Sequence, residues 1–517
     1  MSHLNRLKLI DYAIVVEANS DNVALTKKPI PAGSVIQCGS IPIQILHDTL
    51  PGQRIALSDI PEGNYLFQFG YPFARSKGIL SGDVVTAENT LNEIPPLPEF
   101  IPHILPTAHI DENLSQRTFW GYRRSDGRCG TRNYYIVVPT SMCSSTVAQQ
   151  IADQFNRELP GLDAVMALPN TEGCGCASGM QIERFLTVLK NSILHENVAG
   201  ALIVDLGCEQ TNYPIVKKFL GKEYAGEQAK PIDWLTIQHS GGTAKTVAKG
   251  IGIVLERTRQ LADNKRELCP LSAISVGSEC GASDAFSGVT ANRVIGEAVD
   301  KIISSGGAAI FSEFPEMVGA EQVLFPRMSN TNVINKFTTQ MNWYKQMAKL
   351  LGTSMDHNLV PENKAGGLIN PFIKSLGAIM KGGTSIIQDV INYGERIPSK
   401  GLHIMQGPGN DLESVTGLVA SGANIICFST GRGTITGSAL VPVIKISSTS
   451  ELFARMTEDI DFNAGGILDS PFPEEALVML GESLLEQIIA VASGQKTKPE
   501  INRQRQFQIW TAGKLSL

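Results

Sequence analysis

Residues 134–140 read YYIVVPT and residues 144–159 read SSTVAQQIADQFNREL. The first is an unbroken apolar run rich in β-branched residues, the pattern of a strand covered on both faces. The second has the periodicity of a helix packed by one side. The pair then recurs. LDAVMALPN (162–170) predicts a strand and MQIERFLTVLKNSI (180–193) a helix. VAGALIVDLG (198–207) and DWLTIQ (233–238) predict strands, and TAKTVAKGIGIVLERTRQLADNKR (243–266) a helix. LSAISVGS (271–278) and RVIGEAVDKIISSG (293–306) continue the series. GLHIMQG, SVTGLVASG, NIICFST and LVPVIKIS extend it from 401 to 447. Strand–helix alternation at this spacing predicts βαβ units and an α/β protein with mainly parallel sheets.

Upstream the texture differs. DYAIVVEA, NVALTKK, SVIQCG, RIALSDI and DVVTAEN are short β-branched runs punctuated by PAG, PEG and SGD. They predict a small all-β module over 1–92. Residues 93–117 are proline-rich and read as an extended linker. The α/β portion is expected to divide into a central domain, 118–395, and a C-terminal domain, 396–517.

Bulk properties narrow the function classes. The chain has 517 residues with 44 basic against 50 acidic, a formal charge of -6, which disfavours nucleic acid or an anionic membrane as partner. No run approaches the ~18 apolar residues of a membrane span. The N-terminus lacks the pattern of a cleaved signal, so a cytoplasmic location is expected. Nine cysteines, an odd number in a long chain, argue against a disulfide framework.

The unusual residues follow predicted strands, where open α/β sheets bind ligands. Cys143 follows the first, and Asn170, Glu172, Cys174 and Cys176 the second. Cys208 and Glu209 follow the third. Glu279, Cys280, Asp284 and Asn292 lie in SVGSECGASDAFSGVTAN. Cys174, Cys208 and Cys280 sit in loops beside glycine and glutamate, where thiolates suit iron, zinc or an iron–sulfur cluster. No CxxC pair supports a structural zinc. Cys38, Cys269 and Cys427 read as core. GYRRSDGRCGTRN groups Arg123, Arg124, Arg128 and Arg132, and FSTGRGTITGS carries Arg432. Such clusters are either solvated basic loops or oxyanion clamps. Lys364 and Lys374, with Asn410, Asp411 and Glu413, offer acid–base groups in glycine-rich surroundings. No run fits a nucleotide-binding loop. These residues point to a metal-assisted lyase or hydrolase acting on a small anionic substrate.

Seven of the runs, SDGRCGTRN, EGCG, LGCE, GSECGASDAFSGVTAN, NKAGGL…KSLG, GPGNDLESVTGLVASGA and FSTGRGTITG, occur in one order along the chain. In this they resemble the altronate/galactarate dehydratase family, metal-dependent enzymes that remove water from sugar acids to give 2-keto-3-deoxy acids. The resemblance covers essentially the whole chain. It implies that the N-terminal module is a SAF-like β domain. The family pattern carries histidines where this chain has Gln53, Thr86 and Glu88, and another near Asn170.

The resemblance implies a set of roles. Cys174, Cys208 and Cys280, with Cys143, would hold Fe(II) or another divalent metal such as Mn, or an iron–sulfur cluster. Arg128, Arg132 and Arg432 would hold the substrate carboxylate, Lys364 or Glu209 would be the base, and Asp284 and Asn292 would orient hydroxyls. Asn170, Asn410 and Asp411 complete the expected substrate contacts. A homodimer is compatible with this class. Two other readings are a sulfo-lyase acting on a sulfonated hydroxy acid such as sulfolactate, and a silent sugar-acid binder in which the missing histidines mark lost activity.

Overall fold

The strand Tyr134–Pro139 is buried along its whole length and pairs in parallel with Ala164–Ala167 on one side and Val198–Asp205 on the other. Ile232–Thr236 adds a fourth parallel strand. Alternate residues face opposite ways, as the two-residue repeat of a strand requires. Tyr135 and Val137 pack with Val147, Ile151 and Val254 of the helices Met142–Ala152 and Thr243–Gln260. Tyr134, Ile136 and Val138 pack with Phe185 and Leu189 of the helix Met180–Ile193, and also with Val415, Leu418 and Phe428 from the C-terminal part. One apolar core therefore joins the two α/β units. The structure, a computed structural model, describes residues 6–97, 110–156, 159–221 and 230–513.

The larger unit is a seven-stranded parallel sheet. Its spatial order is Ile387–Ile391, Gly401–Met405, Ala308–Phe311, Ser275–Gly281, Ile425–Thr430, Val443–Ser447 and Phe462–Asn463. The expected junction at 395/396 is corrected by this order. It falls between Ile387–Ile391 and Gly401–Met405, which pair directly, so residues on both sides build one sheet and one core. The helices Ala291–Ser304 and Pro473–Ala492 pack against each other beside it.

The N-terminal module is built from short strands, as expected. Ala13–Ile14, Val23–Thr26, Arg54–Ala56 and Val84–Val85 form an antiparallel sheet, and Tyr65–Gln68, Tyr71–Ser76 and Thr90–Leu91 a second. The strand expected over 11–18 is only Ala13–Ile14, because Leu9–Tyr12 takes a helical turn first. The module docks on the large unit. Arg54 Nη1 donates to Gly367 O at 2.7 Å, and Asn370 Nδ2 donates to Phe73 O at 2.9 Å. Within the expected linker, residues 98–109 lie outside the described residues, and Glu112–Ser115 is a helical turn capped by Asp111. Among the described residues no helix is long and apolar enough to cross a membrane.

Candidate active site

An open parallel sheet forms a crevice at the carboxyl end of the strand where its connections diverge to opposite sides. In the seven-stranded sheet that strand is Ser275–Gly281, with Ala308–Phe311 on one side and Ile425–Thr430 on the other. Its last residues are Glu279, Cys280 and Gly281. Glu313 and Glu316 follow the neighbouring strand, and Asp411 starts the helix Asp411–Ala420 after Gly401–Met405. Gly281 lets Asp411 approach, since a Cβ there would lie 2.6 Å from Asp411 Oδ2. Lys374 lies on the helix Pro371–Ala378 and Lys381 in the 3₁₀ turn that follows it.

These groups make one buried network. The Cys280 thiol donates to Glu316 Oε2 at 3.2 Å and lies 3.5 Å from Glu313 Oε2, which also accepts from Cys280 N at 3.2 Å. Lys381 Nζ donates to Cys280 Sγ at 3.0 Å and forms an ion pair with Glu313. Lys374 Nζ pairs with Glu316 Oε1 at 2.7 Å and donates to Asn358 O at 2.8 Å. Ser414 Oγ donates to Glu279 Oε2 at 2.7 Å. Glu313 holds its carboxylate here from a left-handed backbone position, φ +74°, that a side chain of L configuration adopts only at a cost.

Burial and neighbouring charge set the protonation states. Burial, with the charge of Glu316 adding to it and Lys381 opposing, pushes Glu313 up to about 7. Burial and the charge of Glu316 bring Asp411 to about 6. Burial and the facing Glu313 push Glu279 well up. Burial works against ionised Glu316, but Lys374 and Lys381 overcome it and hold its pKa below the usual carboxylate range. Burial opposes the charge of Lys381, while Cys280, Glu313 and Glu316 keep it protonated. Four carboxyl groups and a thiol thus face two ammonium groups. Glu279 Oε1 and Glu313 Oε1 are buried without a hydrogen-bond partner, which is costly for such groups. Ligand atoms of Cys280, Glu313 and Glu316 lie within 4.8 Å of one another. One sulfur with carboxylate oxygens suits Fe(II), Mn(II) or Zn(II), and the excess of acid over base favours a divalent cation.

A cleft of about 450 Å³ opens between the N-terminal module and the large unit. Gln53, Thr86 and Glu88 line one wall and Asp356, Lys364 and Leu368 the other. Below it a cavity of about 10 Å³, room for one water, is lined by Arg54, Asp284, Asn292, Leu368 and Lys374. Lys374 belongs to this cavity and to the buried network, so it links cleft and centre.

The structure sorts the expected site residues. The four cysteines do not form one centre. Cys280 belongs to the network above, while Cys143, Cys174 and Cys208 stand at the carboxyl edge of the four-stranded sheet. Arg132 is not a substrate clamp. It is 2% exposed, and all five donors are engaged, with Glu500 at 2.6 and 2.8 Å and with the carbonyls of Thr131, Val491 and Gln495. Arg128 is held by Asp126, Glu196 and Leu194 O. Glu196 also pairs with Arg396, so this basic loop fastens the two α/β units together. Arg432 is exposed and pairs with Glu362 at 2.7 Å, two residues from Lys364 at the cleft.

Glu209 does not fit a base. Thr140, Ser141, Leu206 N and Gly207 N all donate to its carboxylate. Burial raises its pKa, but these bonds win and keep it ionised. Asp284 accepts from Phe286 N, Ser287 N, Ser287 Oγ and Ser448 Oγ, which organise a turn at the small cavity. Asn292 donates to Gly377 O and accepts from Ser429, both structural contacts. Asn170 bonds Pro139 O and Glu172 N within the cysteine loop, and Asn410 bonds Glu413 at the surface. Asp411 does reach the centre. Glu313, Glu316 and Lys381 were missed. SEFPEM directly follows the apolar run AAIF, so the strand-end criterion applied to the cysteines would have found the two glutamates.

Fold and centre together describe an α/β protein with buried carboxyl and ammonium groups at a sheet's switch point. The comparisons with known proteins specify it further. Residues 121–262 match the family described as "D-galactarate dehydratase/Altronate hydrolase, second domain" and residues 271–515 the one described as "D-galactarate/Altronate dehydratase, C-terminal". Altronate dehydratase of Bacillus subtilis is 33% identical, over 95% of this chain and 97% of its own length. Galactarate dehydratase (L-threo-forming) of Escherichia coli is 32% identical over 92% of each chain. The (2R)-sulfolactate sulfo-lyase subunit beta of Chromohalobacter salexigens is 30% identical over 76% of this chain and 97% of that subunit. The chain belongs to the galactarate/altronate dehydratase family.

Proposed function

We propose that this chain is a metal-dependent hydro-lyase that dehydrates a sugar acid, an aldonate or aldarate such as altronate or galactarate, to the 2-keto-3-deoxy acid. The observation that carries the reading is the buried network in which Glu313, near neutrality, faces protonated Lys381 beside Cys280 and Glu316. The reaction removes the weakly acidic proton next to a carboxylate and expels the neighbouring hydroxyl as water. The resulting enol becomes the ketone.

Each need has a matching group. Glu313, with a pKa about 7, suits a general base at neutral pH. Lys381 and Lys374 place positive charge where the enediolate would develop, in a buried site. Asp411, at about 6, can hold the proton that the leaving hydroxyl requires. Cys280 and Glu316, the thiol and carboxylate beside Glu313, would hold the divalent ion, Fe(II) or Mn(II), which would supply Lewis-acid stabilisation of substrate oxygen when bound. Lys364 at the cleft is a contact for the incoming carboxylate.

The test is an anaerobic assay with Fe(II) or Mn(II) against a panel of hexonates and hexarates, with 2-keto-3-deoxy product detected as its semicarbazone. Turnover of one member supports the reading. Silence across the panel with metal bound rejects it. The similarity to the sulfo-lyase subunit makes sulfolactate, with release of sulfite, the control substrate.

A further inference from the structure

A pocket of about 590 Å³ opens at the carboxyl ends of the strands Ile387–Ile391 and Gly401–Met405, where the residues that follow them, Asn392, Tyr393 and Gln406, line it. The helix Met180–Ile193 of the four-stranded unit and the helix Thr331–Leu350 supply the other walls. The pocket therefore lies between the two α/β units and at strand ends, two places where ligand sites concentrate. It shares no lining residue with the cleft or with the buried acid–lysine network.

Arg184 is the cation of this pocket, and it is 8% exposed. Its guanidinium carbon lies 4.2 Å from the ring centroid of Trp510 and 5.3 Å from that of Trp343. Nη2 donates to Gln406 Oε1 at 2.7 Å. Nη1 is buried without a hydrogen-bond partner. Among the described residues no carboxylate pairs with this charge, and burial lowers its pKa. Two more polar groups lack partners nearby. Gln340 Oε1, on a lining residue, is buried and unbonded. So is the hydroxyl of Tyr344, whose ring stacks on Trp510 at 5.8 Å. A buried cation without a counter-charge and buried polar atoms without partners are each costly, and here they gather around one cavity.

We propose that this pocket is a second ligand site, for a small monocarboxylic acid that bears hydroxyl groups. The carboxylate supplies the counter-charge that Arg184 lacks and an acceptor for Nη1. A ligand hydroxyl donates to Gln340 Oε1, which can only accept. The rings of Trp343 and Trp510 hold the guanidinium in one orientation, so the site needs little ordering on binding. The exposed part of the lining sets the charge of the ligand. Glu183 and Glu395 stand there and repel a second carboxylate, while Thr187 and Thr339 can bond neutral hydroxyls. A monoanion with a polar tail fits these walls, and a dianion does not. The site does not depend on the function proposed for the acid–lysine centre.

Two of the four tryptophans, Trp343 and Trp510, border the site and report its occupancy. The experiment titrates the full chain with gluconate, with its dicarboxylate counterpart glucarate and with uncharged sorbitol, following tryptophan fluorescence and the melting temperature. The expected result is a saturable fluorescence change and a raised melting temperature with gluconate, binding of glucarate weaker by about tenfold or more, and no response to sorbitol. Arg184→Gln abolishes the gluconate response and Gln340→Leu weakens it about tenfold, whereas Lys364→Ala in the cleft keeps it. Melts without ligand check that the variants fold, and Gln340→Leu decides the matter if Arg184→Gln does not. No saturable response to gluconate, an equal response to glucarate or sorbitol, or a response that survives both pocket substitutions would overturn the proposal. Turnover plays no part in these readouts, so the pocket and the dehydratase reading fail separately.

Discussion

Both parallel sheets carry reactive side chains at the carboxyl end of the strand where their order switches, but the two edges face different surroundings. At the seven-stranded sheet, Glu279, Cys280, Glu313 and Lys381 are each no more than 2% exposed. At the four-stranded sheet, Cys143 and Cys208 are exposed. Topology chooses the place in both; what is packed over the edge chooses the chemistry. The helix Pro371–Ala378 and the docked N-terminal module cover the first edge, and there burial turns ordinary carboxyl groups into groups that titrate near neutrality. At the second edge burial pushes the Cys143 thiol up, away from neutrality.

The sharpest way to break this contrast is Glu313→Gln. The amide keeps the shape and removes the base, so kcat should fall by about 10²–10⁴-fold, the range of general-base catalysis. A variant with activity within a few-fold of the parent would show that the buried network is a structural knot and move the reaction elsewhere.

The next largest effect separates fastening from binding. Arg132→Ala leaves Glu500 near-buried without its partner, at a cost of about 3–5 kcal/mol. The melting temperature should drop sharply while KM of the surviving enzyme stays put. A raised KM with unchanged stability would restore Arg132 as a substrate clamp.

These two residues also show what the sequence could disclose. The alternation of strands and helices, the parallel sheets and the placing of chemistry at strand ends were all readable locally, because a buried parallel strand needs a continuous apolar run and a helix needs one apolar face. Asp411 was readable for the same reason. Arg132 was not, because its partner Glu500 is 368 residues away and a string of arginines looks alike whether solvated or satisfied. Lys381 was not, because KSLGAIMKGG reads as the basic end of an ordinary helix. Only the fold places Lys381 between Cys280 and Glu313. The cysteines were found as a group of four because one rule selected them all, and the division into two edges follows from a strand order that sequence does not state.

A pH series sharpens the contrast more gently. Folded Glu313 titrates at about 7, against 4.5 for an unshifted glutamate. The native chain therefore keeps a proton that the unfolded chain releases, so this group's contribution to stability is present below about 4.5 and is lost as pH rises through about 7. Glu316 works the other way, its contribution being lost as pH falls. Activity that needs ionised Glu313 should rise about tenfold per pH unit below 7 and level off above it, a limb absent from the residual activity of Glu313→Gln. A rate flat between pH 5 and 8 would take the base role from Glu313.

The smallest effect is expected at the cleft, where side chains meet water. Lys364 is exposed, and Glu88 across from it is fully so. Charges in that setting attract an anion weakly and are screened by salt. Lys364→Ala should raise KM a few-fold, leave kcat alone and lose its effect at high ionic strength, the mark of binding shared equally by substrate and transition state. Thr86→His and Glu88→His place imidazole where the family pattern has it. If the buried centre does the chemistry, these variants change KM alone, since the cleft only admits substrate. A gain in kcat would mean that the N-terminal module reaches the reacting atoms, and that the chain does its chemistry between module and sheet rather than beneath them.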